Sequence, residues 1–539
     1  MRRTMRILDE ALAAGTLWRA GAVPRDPRAL TSGARAVARL GPFGGLPAFG
    51  AAAFPDRVAL VDDRGQLTFA EFAGRTHRLA HALRSRLPAS QPGVGILCRN
   101  HADAVVTLCA ASAAGARVVL LNPDFGPRQV AQVAARERLD ALVYDEEFTT
   151  AASGFDGPRW CAWTDDAQAE SSLAALMTGE SAALPAPPAR SPALVVLTSG
   201  TSGLPKGAPR SQAPSLLVPA GLLSKIPLRG GERVLLSAPV FHGWGLIVAT
   251  LTLTMGSTLV LHRRFDAGRV LTDLQRQRCS TLVAVPTMLR RLVALGDAIP
   301  AADLSALRIV ASGGARLDSA LVAQVTTALG PVLHNLYGST EASYISIATP
   351  EDLAVAPDCA GIPPRGTVVR ITDADGTSAA VGAEGRILVR TPGQIDAYTD
   401  GTRKSDTDGF LDTGDRGHLD AAGRLYVAGR SDAMIVSGGE NVFPEELEMA
   451  LLAHPEVADA AVAPVPDAEF GHRLRAYLVR ADSPAGRDTL DEQAVRRYLA
   501  AELPRSRMPR EIVFVERLSR GSTGKLTRHT LDELQEEHR

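Results

Sequence analysis

Residues Leu197 to Arg210 read LTSGTSGLPKGAPR, a Gly/Ser/Thr-rich loop built around a lysine and fed by the apolar run ALVVL at 193–197. A Walker phosphate loop requires G-x-x-x-x-G-K-[ST] with a helix starting at once. Here Lys206 follows Pro205 and precedes Gly207 and Pro209, so no helix starts at the lysine. The loop still supplies backbone N–H groups and short hydroxyl donors in a concave turn, which suits phosphate oxygens. Taken alone, it is equally well a surface turn.

On either side the chain alternates short apolar runs with helix-length segments. Val58–Val61 and Gln66–Phe69 suggest a hairpin around Asp63-Arg64-Gly65, and helical spacing follows to Leu87. Gly93–Leu97, Val118–Leu121 and Ala141–Tyr144 form one strand series. Val234–Leu236, Thr258–Leu261, Thr281–Val285, Arg308–Ala311 and Pro331–Leu336 form another. This is the βαβ rhythm of parallel sheets. Beyond Cys359, VVRITDADG, GRILVR and GRLYVAGR predict shorter antiparallel strands. After Arg430 a smaller α+β segment begins, with helices expected at Pro444–Ala453 and Asp491–Ala501. The first 50 residues predict a helical arm broken by the Pro/Gly-rich run GPFGGLPAFG, and ALPAPPARSP at 183–192 predicts an exposed linker.

The chain of 539 residues is long enough for more than one domain, and 58 basic against 59 acidic residues argue against a nucleic-acid-binding surface spread over the whole molecule. The five cysteines, at 98, 109, 161, 279 and 359, are scattered and form no C-x-x-C pair, as expected of a reducing cytoplasm. Asp9 and Glu10 interrupt what would be the apolar part of a signal peptide. The run Ala104–Ala116 stops short of the ~20 residues that span a bilayer, so no membrane span is expected. Only Lys206, Lys225, Lys404 and Lys525 are lysines, against 54 arginines. A lysine kept in such a chain marks a place where a compact, flexible ammonium is needed and a planar guanidinium does not fit.

Four further stretches follow the loop in order: SGGAR at 312–316, YGSTE at 337–341, DTGD at 412–415 with GRLYVAGRSD at 423–432, and GSTGKLTR at 521–528. With LTSGTSGLPKG they resemble the motif series of the adenylate-forming superfamily, in particular its acyl-CoA synthetases (AMP-dependent synthetases and ligases). The resemblance runs from about residue 50 to the end. It implies an α/β fold: a large N-terminal domain of two βαβ-type sheets plus a small β-barrel, over 1–430, and a smaller mobile α+β C-terminal domain, over 431–539. It also implies ATP-dependent adenylation of a fatty or aryl carboxylic acid through an acyl-AMP, followed by thioester formation with CoA. A carboxylate has no usable leaving group, and adenylation supplies one.

By that resemblance Thr198, Ser199, Gly200, Thr201, Ser202 and Gly203 hold the β- and γ-phosphates, and Lys206 meets phosphate or anchors the loop. Tyr337 and Gly338 face the adenine, with Gly313, Gly314 and Ala315 as its rim. Thr340 contacts the α-phosphate, and Glu341 holds Mg²⁺, a hard cation that prefers carboxylate and phosphate oxygens. Asp415, in a tight Thr-Gly-Asp turn, takes the ribose hydroxyls, and Arg430 adds a bond to ribose or phosphate. Lys525 stabilises charge developing on the α-phosphate, and Asp432 marks the hinge. Gly438 and Gly439 line a pantetheine passage or are a simple hairpin turn. His242, in APVFHGWG, borders the acyl pocket or is a packed core histidine. The expected partners are the acid, ATP and CoA, with monomer and homodimer both open. A rival reading keeps the adenylation chemistry but changes the acid or acceptor, as in ATP-dependent nitrite activation for diazotisation of an aryl amine.

Overall fold

The computed structural model describes residues 2–88, 90–166, 169–198, 205–210, 216–373, 375–404, 406–431, 435–437, 440–442, 444–467, 471–481, 490–503, 508–521 and 526. Its first sheet has six strands, in the order Arg159–Trp163, Ala141–Asp145, Gly93–Leu97, Arg117–Leu120, Ala193–Leu197 and Gly207–Arg210. The first five are parallel and the last is antiparallel. The second sheet has eight, in the order Ser343–Ala348, Leu333–Ser339, Ile309–Gly313, Thr281–Ala284, Arg233–Leu236, Thr258–Leu261, Val58–Asp62 and Gly65–Thr68. Its inner strands are parallel and both edges antiparallel.

Strands such as Thr281–Ala284 and Thr258–Leu261 are buried along their whole length, which is why each runs apolar after its first threonine instead of alternating. Helices cover them, and several start at side-chain caps: Thr68 and Glu71 form a reciprocal capping box before Phe69–Arg86, and Asp318 caps Ser319–Leu329. Ala102–Ala113 is apolar around nearly its full circumference, matching its burial in the largest core cluster.

The N-terminal arm includes Pro27–Ala53, two helical segments broken at Gly41 (φ 79°), the first residue of the Pro/Gly-rich run, whose remaining residues form the second segment. Gly41 takes the left-handed conformation, and Pro42 opens the second half, where its lack of an N–H costs little. The glycines have a packing role. A Cβ on Gly44 would lie 2.7 Å from the backbone nitrogen of Ala113, and one on Gly45 would lie 2.4 Å from Cα of Val37. Leu40 and Leu46 are buried in the largest core, which makes the arm part of the body.

A third, antiparallel sheet contains Val368–Thr372, Gly385–Arg390, Phe410–Leu419, Asp406–Thr407 and Leu425–Arg430, where a small barrel was expected. A fourth holds Glu440–Val442, Ile435–Ser437, Gly471–Arg480, Val457–Asp467 and Glu511–Phe514, packed with helices Pro444–Leu452 and Glu492–Glu502 around a core of its own. All five cysteines are buried thiols. Among the described residues no helix is long and apolar enough to cross a membrane.

Gly44→Val tests the close approach of the arm. Its side chain has no room against the Ala113 backbone, so a loss of about 1–3 kcal/mol is expected, read as a lower urea midpoint. An unchanged midpoint would refute the packing role.

Candidate active site

The opening loop springs from a hairpin. Ala193–Leu197 pairs antiparallel with Gly207–Arg210, with Leu197 opposite Gly207. At its mouth the Thr198 N–H donates to the Lys206 carbonyl at 2.9 Å, and the Lys206 N–H donates to Thr198 Oγ1 at 3.2 Å. Ser199, Gly200, Thr201, Ser202 and Gly203 lie outside the described residues. Lys206 Nζ donates to Thr402 Oγ1 at 3.2 Å and stands 5.1 Å from the centre of the Tyr398 ring.

Leu333–Ser339 carries Tyr337 and Gly338 out of the eight-stranded sheet. The chain then turns through Thr340 and Glu341 into Ser343–Ala348. Gly338 is required there, since a Cβ would come within 2.2 Å of the Ser343 carbonyl oxygen. The Tyr337 hydroxyl donates to Asp415 Oδ2. Burial first, and the Asp415 charge second, push the Tyr337 phenol well above its ordinary range, so it remains a donor. Glu341 is only 9% exposed and accepts a 2.7 Å bond from the Tyr398 hydroxyl at Oε1. Burial alone would raise its carboxyl; the Lys404 ammonium and the Tyr398 hydroxyl outweigh it and hold the group below the usual carboxylate range.

Asp415 departs from the expected free-standing turn: it lies within the long strand Phe410–Leu419. The turn is compressed into an irregularity of that strand, with Gly414 at φ 80° and a register shift opposite Arg386 to Leu388. Asp415 pairs in register with Arg430, whose Nη1 is 3.7 Å from Asp415 Oδ1 and donates to the Thr413 carbonyl at 3.3 Å. Gly313 ends the neighbouring strand, Gly314 has φ +85° and Ala315 is half-buried beside it, while Arg316 Nη1 donates to the Ala428 carbonyl at 2.9 Å.

His242 immediately precedes the helix Gly243–Thr254, its ring 4.4 Å from that of Phe241 between centroids. Ser437 pairs with Glu440 on either side of Gly438 and Gly439. Those two glycines, Asp432 and Lys525 lie outside the described residues.

Three residues at the site carry no motif signal of their own: Asn335, Tyr398 and Lys404. Asn335 Oδ1 is a buried acceptor that no donor among the described residues reaches, on the same side of its strand as Tyr337. Its two-residue spacing from Tyr337 was readable in NLYGSTE. Lys404 was visible as one of four lysines, and its Nζ donates to the Thr413 carbonyl at 2.7 Å. Tyr398 had no local signal. An orphaned acceptor, a ring and a carboxylate near one another fit a nucleotide base and ribose, and the ionised Glu341 fits a hard divalent cation.

Two parallel-sheet lobes, an antiparallel sheet and a smaller C-terminal unit, with this cluster where the sheets meet, define an adenylate-forming enzyme. The chain belongs to the AMP-binding enzyme family: that family's model matches residues 49–399, and the model of the AMP-binding enzyme C-terminal domain matches residues 446–525. It is 32% identical over 500 residues to an indoleacetate–CoA ligase of Aromatoleum aromaticum, covering 89% of this chain and 95% of the relative. A 2-succinylbenzoate–CoA ligase of Bacillus licheniformis is 31% identical over 481 residues, covering 88% and 97%. Among solved structures, o-succinylbenzoate CoA synthetase of Bacillus subtilis with its acyl-adenylate superposes with a TM-score of 0.78 at 27% identity, covering 90% of this chain and 97% of that one. The amide bond synthetase McbA of Marinactinospora thermotolerans gives 0.78 at 27%, covering 91% and 99%.

Because the Glu341 carboxyl titrates below its ordinary range, Tyr398 and Lys404 contribute stability that is present at neutral pH and lost as pH falls through the folded pKa. Tyr398→Phe should therefore lower stability by about 2 kcal/mol at neutral pH and by much less in acid, where Glu341 is protonated. Urea titrations at a series of pH values test this. A difference independent of pH would show that the bond does not serve the carboxylate.

Proposed function

We propose that the protein is an AMP-forming acid–CoA ligase acting on an aryl or arylalkyl carboxylic acid. The observation that carries this reading is the pair of bonds Tyr337–Asp415 and Tyr398–Glu341 at the turn that leaves Leu333–Ser339, in a chain related over about nine-tenths of its length to ligases of indoleacetate and 2-succinylbenzoate. In this reading Asn335 and Tyr337 receive the adenine, Gly313 to Ala315 form its rim, and Asp415 and Arg430 hold the ribose. Residues 198–203 enclose the terminal phosphates, Thr340 meets the α-phosphate, and Glu341 takes Mg²⁺, which would neutralise phosphate charge. Lys206 anchors the loop, consistent with its bond to Thr402. Lys525 faces the α-phosphate, Gly438 and Gly439 admit the thiol, and His242 borders the acid. The division between units lies at 430/431, with Asp432 as hinge.

The match to an amide bond synthetase favours one second reading, in which an amine replaces CoA as acceptor. The nitrite reading draws no support from these relatives.

A panel of acids, nitrite included, assayed for AMP release with and without CoA or an amine separates these readings. AMP and pyrophosphate formed with an aryl acid, and a thioester formed only with CoA, are expected; ADP as product would overturn adenylation. Lys525→Ala should cost about 3–4 kcal/mol of transition-state stabilisation, a loss of 10²–10³ in the adenylation rate. Near-normal pyrophosphate exchange in that variant would remove Lys525 from the mechanism.

A further inference from the structure

A cleft of about 560 Å³ opens at the edge of the eight-stranded sheet, lined by the ends of Val58–Asp62 and Thr258–Leu261, the turn through Asp63 and Arg64, and the helix Ala267–Arg276. In that sheet Thr258–Leu261 lies four strand positions from Leu333–Ser339, roughly 19 Å, so the cleft is no extension of the site around Tyr337 and Glu341. Every residue that lines it is described.

The carboxylates in the cleft already have partners. Asp62 accepts from the N–H groups of Arg64 at 2.8 Å and Ala102 at 2.9 Å. Asp63 pairs with Arg269, whose Nε also stands 3.7 Å from Asp273. Asp273 Oδ2 accepts from His262 Nε2 at 2.8 Å. An imidazole nitrogen and a guanidinium remain. His262 is only 5% exposed, and its Nδ1 is a buried atom without a hydrogen-bond partner. Such a nitrogen is unfavourable until something pairs with it. Because a carboxylate only accepts, Nε2 carries a proton, and Nδ1 is a lone pair in the neutral ring or a second N–H in the cation. Arg276 ends its helix on the same cleft and is the lining cation that meets no carboxylate among the described residues.

A ligand that completes this arrangement brings anionic oxygen for the guanidinium and a partner for the imidazole in either protonation state. A metal ion does not qualify, since the one set of side chains gathered closely enough for it, among the described residues, is Cys98, His101 and Asp145. A phosphate monoester does. As a monoanion its P–OH donates to the neutral ring, as a dianion its oxygens accept from the imidazolium, and in both forms further oxygens serve the arginine. The volume leaves room for the organic group attached to the phosphate.

We propose that this cleft is a second ligand site, separate from the adenylation centre, in which His262 and Arg276 bind the phosphate of a small organic phosphate monoester. Asp273 holds the ring by Nε2 and leaves Nδ1 for the ligand. The site is independent of which acid the enzyme activates and of its acceptor.

The test follows the ring nitrogens of His262 by NMR of the full-length protein with isotopically labelled histidine, assigned from the signals lost in His262→Gln, with AMP saturating so that the nucleotide site is filled. Glycerol 3-phosphate and inorganic phosphate are the probes, and glycerol is the uncharged control. Glycerol 3-phosphate should move the Nδ1 signal and glycerol should not. A shift with inorganic phosphate too supports the proposal by showing that the phosphate group suffices; a shift with the ester alone supports it by showing that the organic part is needed. By calorimetry, Arg276→Gln and His262→Gln should each weaken glycerol 3-phosphate binding at least about tenfold while AMP affinity holds. In His262→Gln the amide keeps a donor for Asp273 and removes Nδ1; Arg276→Gln, at an exposed position, decides the matter should His262→Gln fold poorly. An unmoved Nδ1 signal, an equal shift with glycerol, or unchanged affinity in Arg276→Gln would overturn the proposal. A shift seen only without AMP would assign the phosphate to the nucleotide site and overturn it equally.

Discussion

A carboxylate buried where three sheets meet must be stabilised from all of them, and Glu341 is in that position. It leaves the eight-stranded sheet at the turn after Leu333–Ser339. Its hydroxyl partner, Tyr398, and the ammonium that lowers its pKa, Lys404, come from the segment that runs between strands of the antiparallel sheet. That segment is in turn fastened to the six-stranded sheet. The Thr399 N–H donates to the Gly207 carbonyl at 2.8 Å, Thr399 Oγ1 donates to Glu137 Oε1 at 2.7 Å, and Arg136 pairs with Asp400 at 2.8 Å. Desolvating an ion costs several kcal/mol unless each remaining lone pair and charge is met. The position of the loop base at Lys206 and the charge state of Glu341 are therefore properties of one connected network.

A second tie fixes the lobes on the far side of the site. Asn100, just beyond the strand Gly93–Leu97, donates from Nδ2 to the Ala238 carbonyl at 2.9 Å and accepts from the Val240 N–H at 2.8 Å. This buried amide holds the segment that delivers His242 and the helix after it. Next to it His101 donates from Nε2 to Asp145 at 2.7 Å and accepts at Nδ1 from the Ala104 N–H at 3.3 Å. With both ring nitrogens engaged, the cluster of Cys98, His101 and Asp145 acts as a helix cap and lobe brace, and its ligand atoms are not available to a metal.

Most of the parallel architecture was legible because fully buried strands are continuous apolar runs of about the right length: Gly93–Leu97, Ala193–Leu197 and Thr258–Leu261 appear where their residues place them. Pro205, Gly207 and Pro209 excluded a helix at the lysine, and the chain there is the strand Gly207–Arg210; its hairpin pairing with Ala193–Leu197 was not foreseen. Local rules failed where tertiary contact overrides them. GPFGGLPAFG has the composition of a loop, yet close packing on Ala113 and Val37 selects glycine within a helix. DTGD reads as a turn, yet pairing with Arg430 draws it into a strand. Of the site, the motif residues Tyr337, Glu341 and Asp415 were recognisable, whereas Tyr398 and Asn100 act through partners 57 and more than 130 residues away and leave no local pattern.

The choice between the two long cations follows the same division of tasks. Where the chain must fit a positive charge into a network already supplied with oxygens, it keeps lysine: Lys206 meets one hydroxyl and an aromatic face, and Lys404 meets one carbonyl beside Glu341. A compact ammonium satisfies such points without demanding two acceptors in one plane. Arginine serves the opposite requirement, where two acceptor oxygens lie together in one plane: Arg520 reaches Asp459 with Nε at 2.8 Å and with Nη2 at 2.6 Å, a fork that a single ammonium could not match.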